Sequence, residues 1–170
     1  MVSIRQESAA DFKAVYEVNL RAFGRKAEAE LVKKLRGADG FIPDLSLVAE
    51  EDGKIKGYLL LAEVHVKTKD EEVPALALVT LAVLPKARKQ GIGGLLMRKG
   101  MELAKINGYN SVFAAGHPDY YSRFGFTFAI DKGLRSRFNS ESAFMVAELA
   151  PDALDCIKGE VVYPQVFFNA

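Results

Sequence analysis

The chain has 170 residues, of which 49% are hydrophobic, and this length and composition fit one domain with a sizeable core. Its formal net charge of +1 gives no overall attraction to nucleic acid or to a membrane surface. The single cysteine, Cys156, excludes an intramolecular disulfide, and charged residues interrupt every apolar stretch before it reaches the ~18 residues of a membrane span, so we expect a cytoplasmic protein.

The first half of the chain is predicted to contain two helices and a β-hairpin. Ser8 and Asp11 match a capping box, and mainly apolar residues, with Asn19 among them, follow at helical spacing from Phe12 onward. The dipeptide at residues 52–53 is Asp-Gly, which is typical of a hairpin turn. The predicted elements are a strand at residues 2–5, helices at 12–23 and 26–35, and strands at 46–50 and 55–66.

The second half is predicted to form a βαβ unit followed by shorter elements. Gly108 is placed to end a long helix, and Pro118 and Gly125 are placed to begin and end a short one. The predicted elements are a strand at residues 75–83, a helix at 92–106, a strand at 111–115, a short helix after Pro118, strands at 126–130 and 143–149, and a tail with a short helix and a strand at 160–163. The strand at 75–83 is apolar at nearly every position, which predicts a central strand covered on both faces.

This order of elements predicts an α/β fold in a single layered domain, with antiparallel hairpins first and the βαβ unit second. Residues 1–149 are predicted to form the domain, and residues 150–170 are predicted to be an extension packed on it. Within that extension, Cys156 is predicted to be a small core residue. The aromatic residues of the tail, Tyr163, Phe167 and Phe168, are predicted to pack back on the domain, or else to cover an acceptor cleft or join a partner chain, and a homodimer therefore stays open.

A glycine-rich turn between the central strand and the long helix is the strongest functional signal in the chain. Gly91, Gly93 and Gly94 would let an anion approach the N–H groups that have no partner at a helix start. A P-loop would need Lys and Ser or Thr after its second glycine, whereas Leu95 and Leu96 stand here. A dinucleotide fingerprint would need its third glycine at Leu96, so both nucleotide sites are disfavoured.

Positive charge is concentrated around this turn. No acidic residue lies between Glu72 and Glu102, whereas five basic residues do, namely Lys86, Arg88, Lys89, Arg98 and Lys99. Such a local cluster favours a phosphate ligand although the whole chain is nearly neutral. Taken alone, the turn is also compatible with an ordinary connection between a strand and a helix.

The motif Arg88-x-x-Gly91-x-Gly93 resembles the pyrophosphate loop of the GNAT acyl-CoA N-acyltransferases. The segments GHPDYYSRFGF at residues 116–126 and GEVVYPQVF at residues 159–167 are similar to a subgroup of small predicted bacterial N-acetyltransferases in this family. The segments AFGRKAEAELVKKLR and SLVAEEDGKIKGYLL resemble the same subgroup, so the resemblance covers nearly the whole chain. It implies a GNAT-type α/β fold, in which a mixed, mostly antiparallel central sheet is flanked by helices.

The resemblance implies acetyl-CoA as a co-substrate and gives the donor side of the site. Backbone N–H groups of the loop would bind the pyrophosphate, and Arg88 would add charge nearby. The end of the central strand would pair with the pantetheine arm, where an N–H could polarise the thioester carbonyl. The loop residues are Lys89, Gln90, Gly91, Ile92, Gly93 and Gly94, and the strand residues are Leu81, Ala82 and Val83.

The resemblance also implies a proton donor for the departing thiolate. In this family the donor is often a tyrosine four residues before the glycine of a Gly-Phe pair, and Tyr121 stands in that position relative to Gly125. Its neighbour Tyr120 is the alternative. A tyrosine between a short helix and a sheet can also serve only in packing.

The general base cannot be carried over from the family. Some members have a glutamate on the central strand, fourteen positions before the first loop glycine, and this chain has Ala77 there. Glu63, His65 and His117 are the candidates, and ordered water or an amine that is already neutral are the alternatives. We favour His117, at the end of a strand beside the predicted cleft, because an imidazole can accept a proton near neutral pH.

The predicted function is the transfer of an acetyl group from acetyl-CoA to a primary amine by direct attack in a ternary complex. The acceptor is expected to be a small-molecule or peptide amine, with no membrane partner, and nucleic acid is disfavoured by the charge balance. The two histidines and the cysteine have no neighbours at metal-ligand spacing, so no metal is expected. Because Ala77 stands where a family base would be, a non-catalytic coenzyme-binding sensor or assembly module stays open as the alternative.

Overall fold

The computed structural model describes residues 1–168, and the last two residues of the predicted extension, Asn169 and Ala170, lie outside the described residues. The chain divides into two compact units. The first contains residues 1–62, 79–103 and the described residues from Gln165 onward, and the second contains residues 63–78 and 104–164. Over the described part of the chain, no helix is both long enough and apolar enough to cross a membrane.

The helices and strands follow one another in this order: β1 (Ser3–Gln6), α1 (Phe12–Phe23), α2 (Ala27–Leu35), β2 (Ser46–Glu51), β3 (Lys54–Lys67), β4 (Glu72–Val83), α3 (Ile92–Ile106), β5 (Ser111–Ala115), α4 (Pro118–Tyr121), β6 (Thr127–Phe128), β7 (Leu134–Arg135), β8 (Phe144–Glu148) and β9 (Gly159–Val162). Strands β3 and β4 each begin in one unit and end in the other.

In the first unit, strand β2 pairs antiparallel with both β1 and β3. Asp52 and Gly53 form the tight turn between β2 and β3 with left-handed φ angles of +54° and +76°, so the predicted hairpin is confirmed. The chain enters α1 through the predicted capping box, in which the N–H of Ser8 donates to the carboxylate of Asp11 at 2.8 Å. Local sequence signals therefore predict both the hairpin turn and the start of α1 in this unit.

The core of the first unit is an apolar cluster that α1 and α2 share with the sheet. Its buried members are Val15, Val18, Val32, Leu35, Val48, Tyr58, Leu60 and Ala82. Helix α3 lies against β3 so closely that a Cβ at Gly57 would be 3.0 Å from side-chain carbons of Ile92 and Leu96. Glycine at position 57 thus lets the first turns of α3 dock on β3, and this contact positions the start of the helix.

In the second unit, β4 and β5 are parallel, with Leu76 opposite Val112, as the predicted βαβ unit requires. The other strand pairs are antiparallel between β5 and β8, β6 and β8, and β9 and the end of β3, and parallel between β7 and β9. The rings of Phe113 and Phe144 stack with their centroids 5.2 Å apart. The predicted fold class is confirmed, since the sheet is mixed, mostly antiparallel and flanked by helices.

Several local predictions for the second unit are wrong. The strand predicted at residues 126–130 is limited to Thr127–Phe128, and a 3-10 turn follows at Ala129–Lys132. The tail helix is a series of turns at residues 151–156, and β7 had no predicted counterpart. Cys156 is exposed instead of lying in the core, because Leu154 is the residue of these turns that is buried. Strands β6 and β7 are held by pairing with β8 and β9, and a local pattern does not encode such distant pairing.

Candidate functional site

The loop between β4 and α3 has a backbone suited to binding an anion. Lys89 and Gly91 both have left-handed φ angles, +66° and +82°. The N–H of Leu95 donates to the carbonyl of Gly91 at 3.1 Å, so the three residues between them form the first helical turn. N–H groups in a first turn have no acceptor within the helix, and left-handed residues in a loop are a component of anion-binding nests. The loop is exposed from Arg88 to Gly91 and is therefore accessible to a ligand.

Two arginine side chains border this loop and are engaged differently. The Nη2 of Arg88 donates to the carbonyl oxygen of Ala22 at 2.7 Å, which joins the loop to the last turn of α1. The guanidinium of Arg98 lies over Gly94, since a Cβ placed on that glycine would be 3.0 Å from Nη1 of Arg98. A larger residue at position 94 would displace the arginine.

The end of β4 is fixed to α1 by a buried polar pair. The hydroxyl of Thr80 donates to Oδ1 of Asn19 at 2.7 Å, and Nδ2 of Asn19 donates to the carbonyl of Val15 at 3.0 Å. Both side chains of the pair are almost completely buried, so each satisfies a polar group that would otherwise be costly. The residues that follow are Leu81 and Val83, half-buried, and Ala82, buried in the core cluster.

The turn after β5 also uses left-handed residues. Gly116 and His117 have φ angles of +97° and +33°, and the N–H of Gly116 donates to the carbonyl of Ala143 at 2.9 Å. His117 begins α4 through its backbone carbonyl, which accepts the N–H groups of Tyr120 and Tyr121 at 3.0 and 3.2 Å. A left-handed non-glycine residue is strained and persists only where its surroundings hold it. The imidazole of His117 is left on the exposed side of this turn.

The two adjacent tyrosines differ in environment. Tyr121 is 9% exposed and its ring contacts the rings of Tyr120 and Phe126, with centroids 5.4 and 5.6 Å away. Burial, followed by the neighbouring Tyr120, raises the pKa of Tyr121 to about 12. Tyr120 is half-buried, with Phe124 and the guanidinium of Arg123 against its ring. Tyr121 is thus protonated over the whole neutral range.

The other two candidate bases lie together in the second unit. The hydroxyl of Tyr109 donates to Oε1 of Glu63 at 2.5 Å, and Nε2 of His65 lies 3.6 Å from Oε2 of the same carboxylate. Burial and this hydrogen bond raise the pKa of Tyr109 above its usual range. The Glu63 carboxylate is therefore already held by two neighbours.

The structure places the predicted loop and strand residues in the first unit and places Tyr121 and His117 in the second. Sequence reasoning missed the position of Arg98 and the pair formed by Thr80 and Asn19. Arg98 follows Gly94 by four residues on a predicted helix, so helical geometry could have placed it over that glycine. Asn19 interrupts an apolar stripe and Thr80 interrupts an apolar strand, and these interruptions were the available signal for the pair.

Metal binding has no structural support among residues 1–168. No group of three or more His, Cys, Asp or Glu side chains in that range could hold a metal ion.

Comparison with known proteins connects this geometry with a family. The family model described as an acetyltransferase (GNAT) domain matches residues 3–129. The uncharacterized N-acetyltransferase YhbS of Escherichia coli strain K12 is 40% identical over 166 residues, which is 96% of this chain and 97% of that protein. The uncharacterized N-acetyltransferase YjhQ of the same strain is 38% identical over 125 residues, 73% of this chain and 69% of that protein.

Two solved structures with bound coenzyme are similar in fold and sequence. The crystal structure of the GNAT family N-acetyltransferase YhbS from Escherichia coli in complex with CoA has a TM-score of 0.91 and 36% identity, over 99% of this chain and 92% of that chain. A GNAT family acetyltransferase from Brucella melitensis in complex with acetyl-CoA has a TM-score of 0.80 and 30% identity, over 98% of each chain.

Proposed function

Since this chain belongs to the GNAT family of acetyltransferases, we propose that it transfers the acetyl group of acetyl-CoA to a primary amine by direct attack in a ternary complex. Structures of its relatives contain CoA and acetyl-CoA, and the chain is accordingly an enzyme with acetyl-CoA as its co-substrate. The observation that carries the proposal is the loop before α3, where left-handed Lys89 and Gly91 precede a first helical turn of N–H groups.

The donor side of the proposal rests on backbone groups of the first unit. The N–H groups of residues 89–94 would bind the pyrophosphate, because they lie at the positive end of α3 in an exposed basic loop. The backbone at Leu81, Ala82 and Val83 would pair with the pantetheine arm in the manner of an added strand. The contact between Thr80 and Asn19 keeps this strand end fixed, which is what such pairing needs.

The chemical step needs one proton to leave the amine and another to reach the sulfur. The amine nitrogen attacks the thioester carbonyl carbon, a C–N bond forms, and the C–S bond breaks. An N–H at the end of β4 would stabilise the oxyanion, and the departing thiolate would take the proton from the hydroxyl of Tyr121. The proton lost by the amine would go to the imidazole of His117. That imidazolium would then release its proton to solvent, and the phenolate of Tyr121 would take one back, so that no net proton is consumed.

We favour Tyr121 over Tyr120 as the proton donor because Tyr121 stands four residues before Gly125. Burial raises its pKa to about 12, so its hydroxyl is protonated at neutral pH. His117 is a better base than Glu63, because the carboxylate of Glu63 is held by Tyr109 and His65. The exposed imidazole of His117 can also exchange its proton with solvent after transfer.

The proposal is tested by calorimetric titration of the full chain with acetyl-CoA, followed by thiol release with a panel of primary amines. The panel should contain polyamines, amino sugars, peptide N-termini and lysine side chains. We expect binding of acetyl-CoA and thiol release with at least one amine, and none with the matching alcohol. Failure to bind acetyl-CoA would overturn the proposal. Binding without thiol release from any amine would contradict amine transfer and favour a coenzyme-binding module.

A further inference from the structure

A buried polar pair joins α1 to the end of β4 in surroundings that are otherwise apolar. The hydroxyl of Thr80 donates to Oδ1 of Asn19 at 2.7 Å, and Asn19 is completely buried while Thr80 is 3% exposed. The other buried residues of α1 are Val15 and Val18, both members of the apolar core cluster. Replacing both partners of such a pair by apolar groups of the same shape is often neutral or stabilising. Stability alone therefore does not account for the polar pair.

The hydrogen bonds of the pair are directional and leave one orientation for the amide. Nδ2 of Asn19 donates to the carbonyl oxygen of Val15 at 3.0 Å, one turn earlier in α1. That oxygen can accept only from the NH₂ group, so Oδ1 must point toward Thr80. Threonine is β-branched with restricted χ1, so a hydroxyl held at 2.7 Å also holds the backbone that carries it. The pair thus fixes the backbone of β4 at residue 80 relative to α1.

The same helix is joined to the chain again after β4. Nη2 of Arg88 donates to the carbonyl oxygen of Ala22 at 2.7 Å. Asn19 and Ala22 are three positions apart and therefore lie on one face of α1. Helix α1 thus holds both ends of the segment from Thr80 to Arg88, and residues 81–83 follow directly after the first of these two contacts.

We propose that Asn19 is a positioning residue for the transfer step: through Thr80 it aims a backbone N–H at the end of β4 toward the carbonyl oxygen of the thioester. This inference rests on the proposed function, since it takes acetyl-CoA as the ligand of residues 81–83. An oxyanion donor acts only within a narrow range of distance and angle, so a small shift of the strand end weakens it. Such a shift lowers kcat more than binding, because charge on that oxygen develops only in the transition state.

The test compares Thr80→Val, Asn19→Leu and the double variant in the full chain, by thiol release from acetyl-CoA with the best amine of the panel. Each single variant leaves a buried polar group without its partner and lowers Tm, whereas the double variant makes both positions apolar and recovers Tm. We expect kcat to fall about fivefold in all three, a small part of the ~100-fold or more that loss of an entire oxyanion donor costs. The KM for acetyl-CoA should stay within twofold. Recovery of kcat together with Tm in the double variant would overturn the proposal.

Ser46→Ala is the matched control for these variants. Ser46 also has a buried hydroxyl that bonds to a second one, the hydroxyl of Tyr58 at 2.7 Å, and it lies on β2, which β3 separates from β4. We expect a loss of Tm similar to that of Thr80→Val, with kcat within twofold of the parent value. An equal loss of kcat in the two variants would show that a less stable core slows the reaction, and would contradict the positioning role.

A spectroscopic measurement tests the same role without an acceptor amine. Infrared difference spectra of bound acetyl-CoA, labelled with carbon-13 at the acetyl carbonyl, report how strongly the thioester is polarised, since a hydrogen bond lowers the carbonyl stretching frequency. We expect a downshift in the parent and in Thr80→Ser, which keeps the hydroxyl, and a smaller downshift in Thr80→Val. The same frequency in the parent and in Thr80→Val would overturn the proposal, and this comparison holds even if Asn19→Leu fails to fold.

Failure of this inference is distinguishable from failure of the proposed function. A parent chain that neither binds acetyl-CoA nor releases thiol with any amine contradicts the function itself. An active parent chain whose kcat is retained in Thr80→Val and in the double variant contradicts only the role of Asn19.

Discussion

The loop after β4 and the turn after β5 each lead from a strand into a helix, but they offer a ligand different groups. The loop at residues 88–94 is rich in glycine and exposed from Arg88 to Gly91, and it opens the 15-residue helix α3. The turn at residues 116–121 opens the four-residue helix α4 and contains Tyr121, which is almost completely buried among aromatic rings. The loop presents backbone N–H groups, whereas the turn presents side chains.

This difference separates the binding of the coenzyme from the proton transfers of the reaction. Backbone N–H groups at a long helix can bind an anion strongly but cannot exchange protons with it, because an amide N–H does not titrate at neutral pH. A phenol and an imidazole can do so, and their environment sets how readily they do. Changes in the loop should therefore alter coenzyme affinity, and changes in the turn should alter the rate of transfer.

The largest expected effect belongs to the turn. Tyr121→Phe removes the proposed proton donor while keeping the buried ring, and we expect kcat to fall about 100-fold, the lower range for general acid catalysis. The KM for acetyl-CoA should stay within threefold. Steady-state thiol release with the best amine of the panel measures both constants.

Tyr120→Phe is the matched control for this variant, since it removes a hydroxyl from the adjacent position. We expect its kcat to stay within twofold of the parent value. Equal losses from the two variants would mean that the pair acts through packing, and a larger loss from Tyr120→Phe would reverse the assignment.

A change in the loop should alter the KM for acetyl-CoA and leave kcat nearly unchanged. Gly91→Ala places a side chain at φ +82°, which costs ~1–2 kcal/mol in the left-handed region. We expect the KM for acetyl-CoA to rise about tenfold with kcat within twofold, because the altered backbone holds the donor less well. Gly108→Ala is the control, since Gly108 at the other end of α3 also has a positive φ and open space around it. A similar rise in KM for both variants would show that the effect does not come from the binding of acetyl-CoA by the loop.

The same division explains how much was predictable from the sequence. The loop works through glycine spacing and a helix start, which are local, and residues 92–106 were predicted to be helical with the bounds that α3 has. The partner of Arg88 could not be predicted, because Ala22 is far away in the sequence. The turn depends on burial of Tyr121, which is decided by packing. The predictions for β6 and β7 were wrong for the same reason, since each of these strands forms by pairing with a distant strand.

A substitution in β4, the strand that leads into the loop, should have a smaller effect than a substitution in the loop. Thr80→Val removes the hydroxyl that donates to Asn19 and leaves a buried amide oxygen without that donor. We expect a loss of ~1 kcal/mol in the free energy of unfolding, which for a chain of this size lowers Tm by roughly 2–4 °C. Thermal unfolding measures this change, and Thr80→Ser, which keeps a hydroxyl, should recover most of it. An unchanged Tm for Thr80→Val would mean that apolar packing alone fixes the end of β4.

The smallest expected effect is a pH dependence that stays flat where an ordinary tyrosine would titrate. Burial disfavours the ionised phenolate, so the pKa of Tyr121 rises from the usual value of about 10 to about 12, and loss of the proton donor moves to higher pH. With an acceptor amine whose own pKa lies below 8, we expect kcat of the parent to change less than twofold between pH 8 and pH 10. A tyrosine with the usual pKa would be half ionised at pH 10 and would halve kcat there.

Tyr121→Phe, measured over the same range, reports any loss that comes from other groups. A twofold fall in the parent that is absent from this variant would place the titration of Tyr121 near pH 10 and contradict its buried, protonated state.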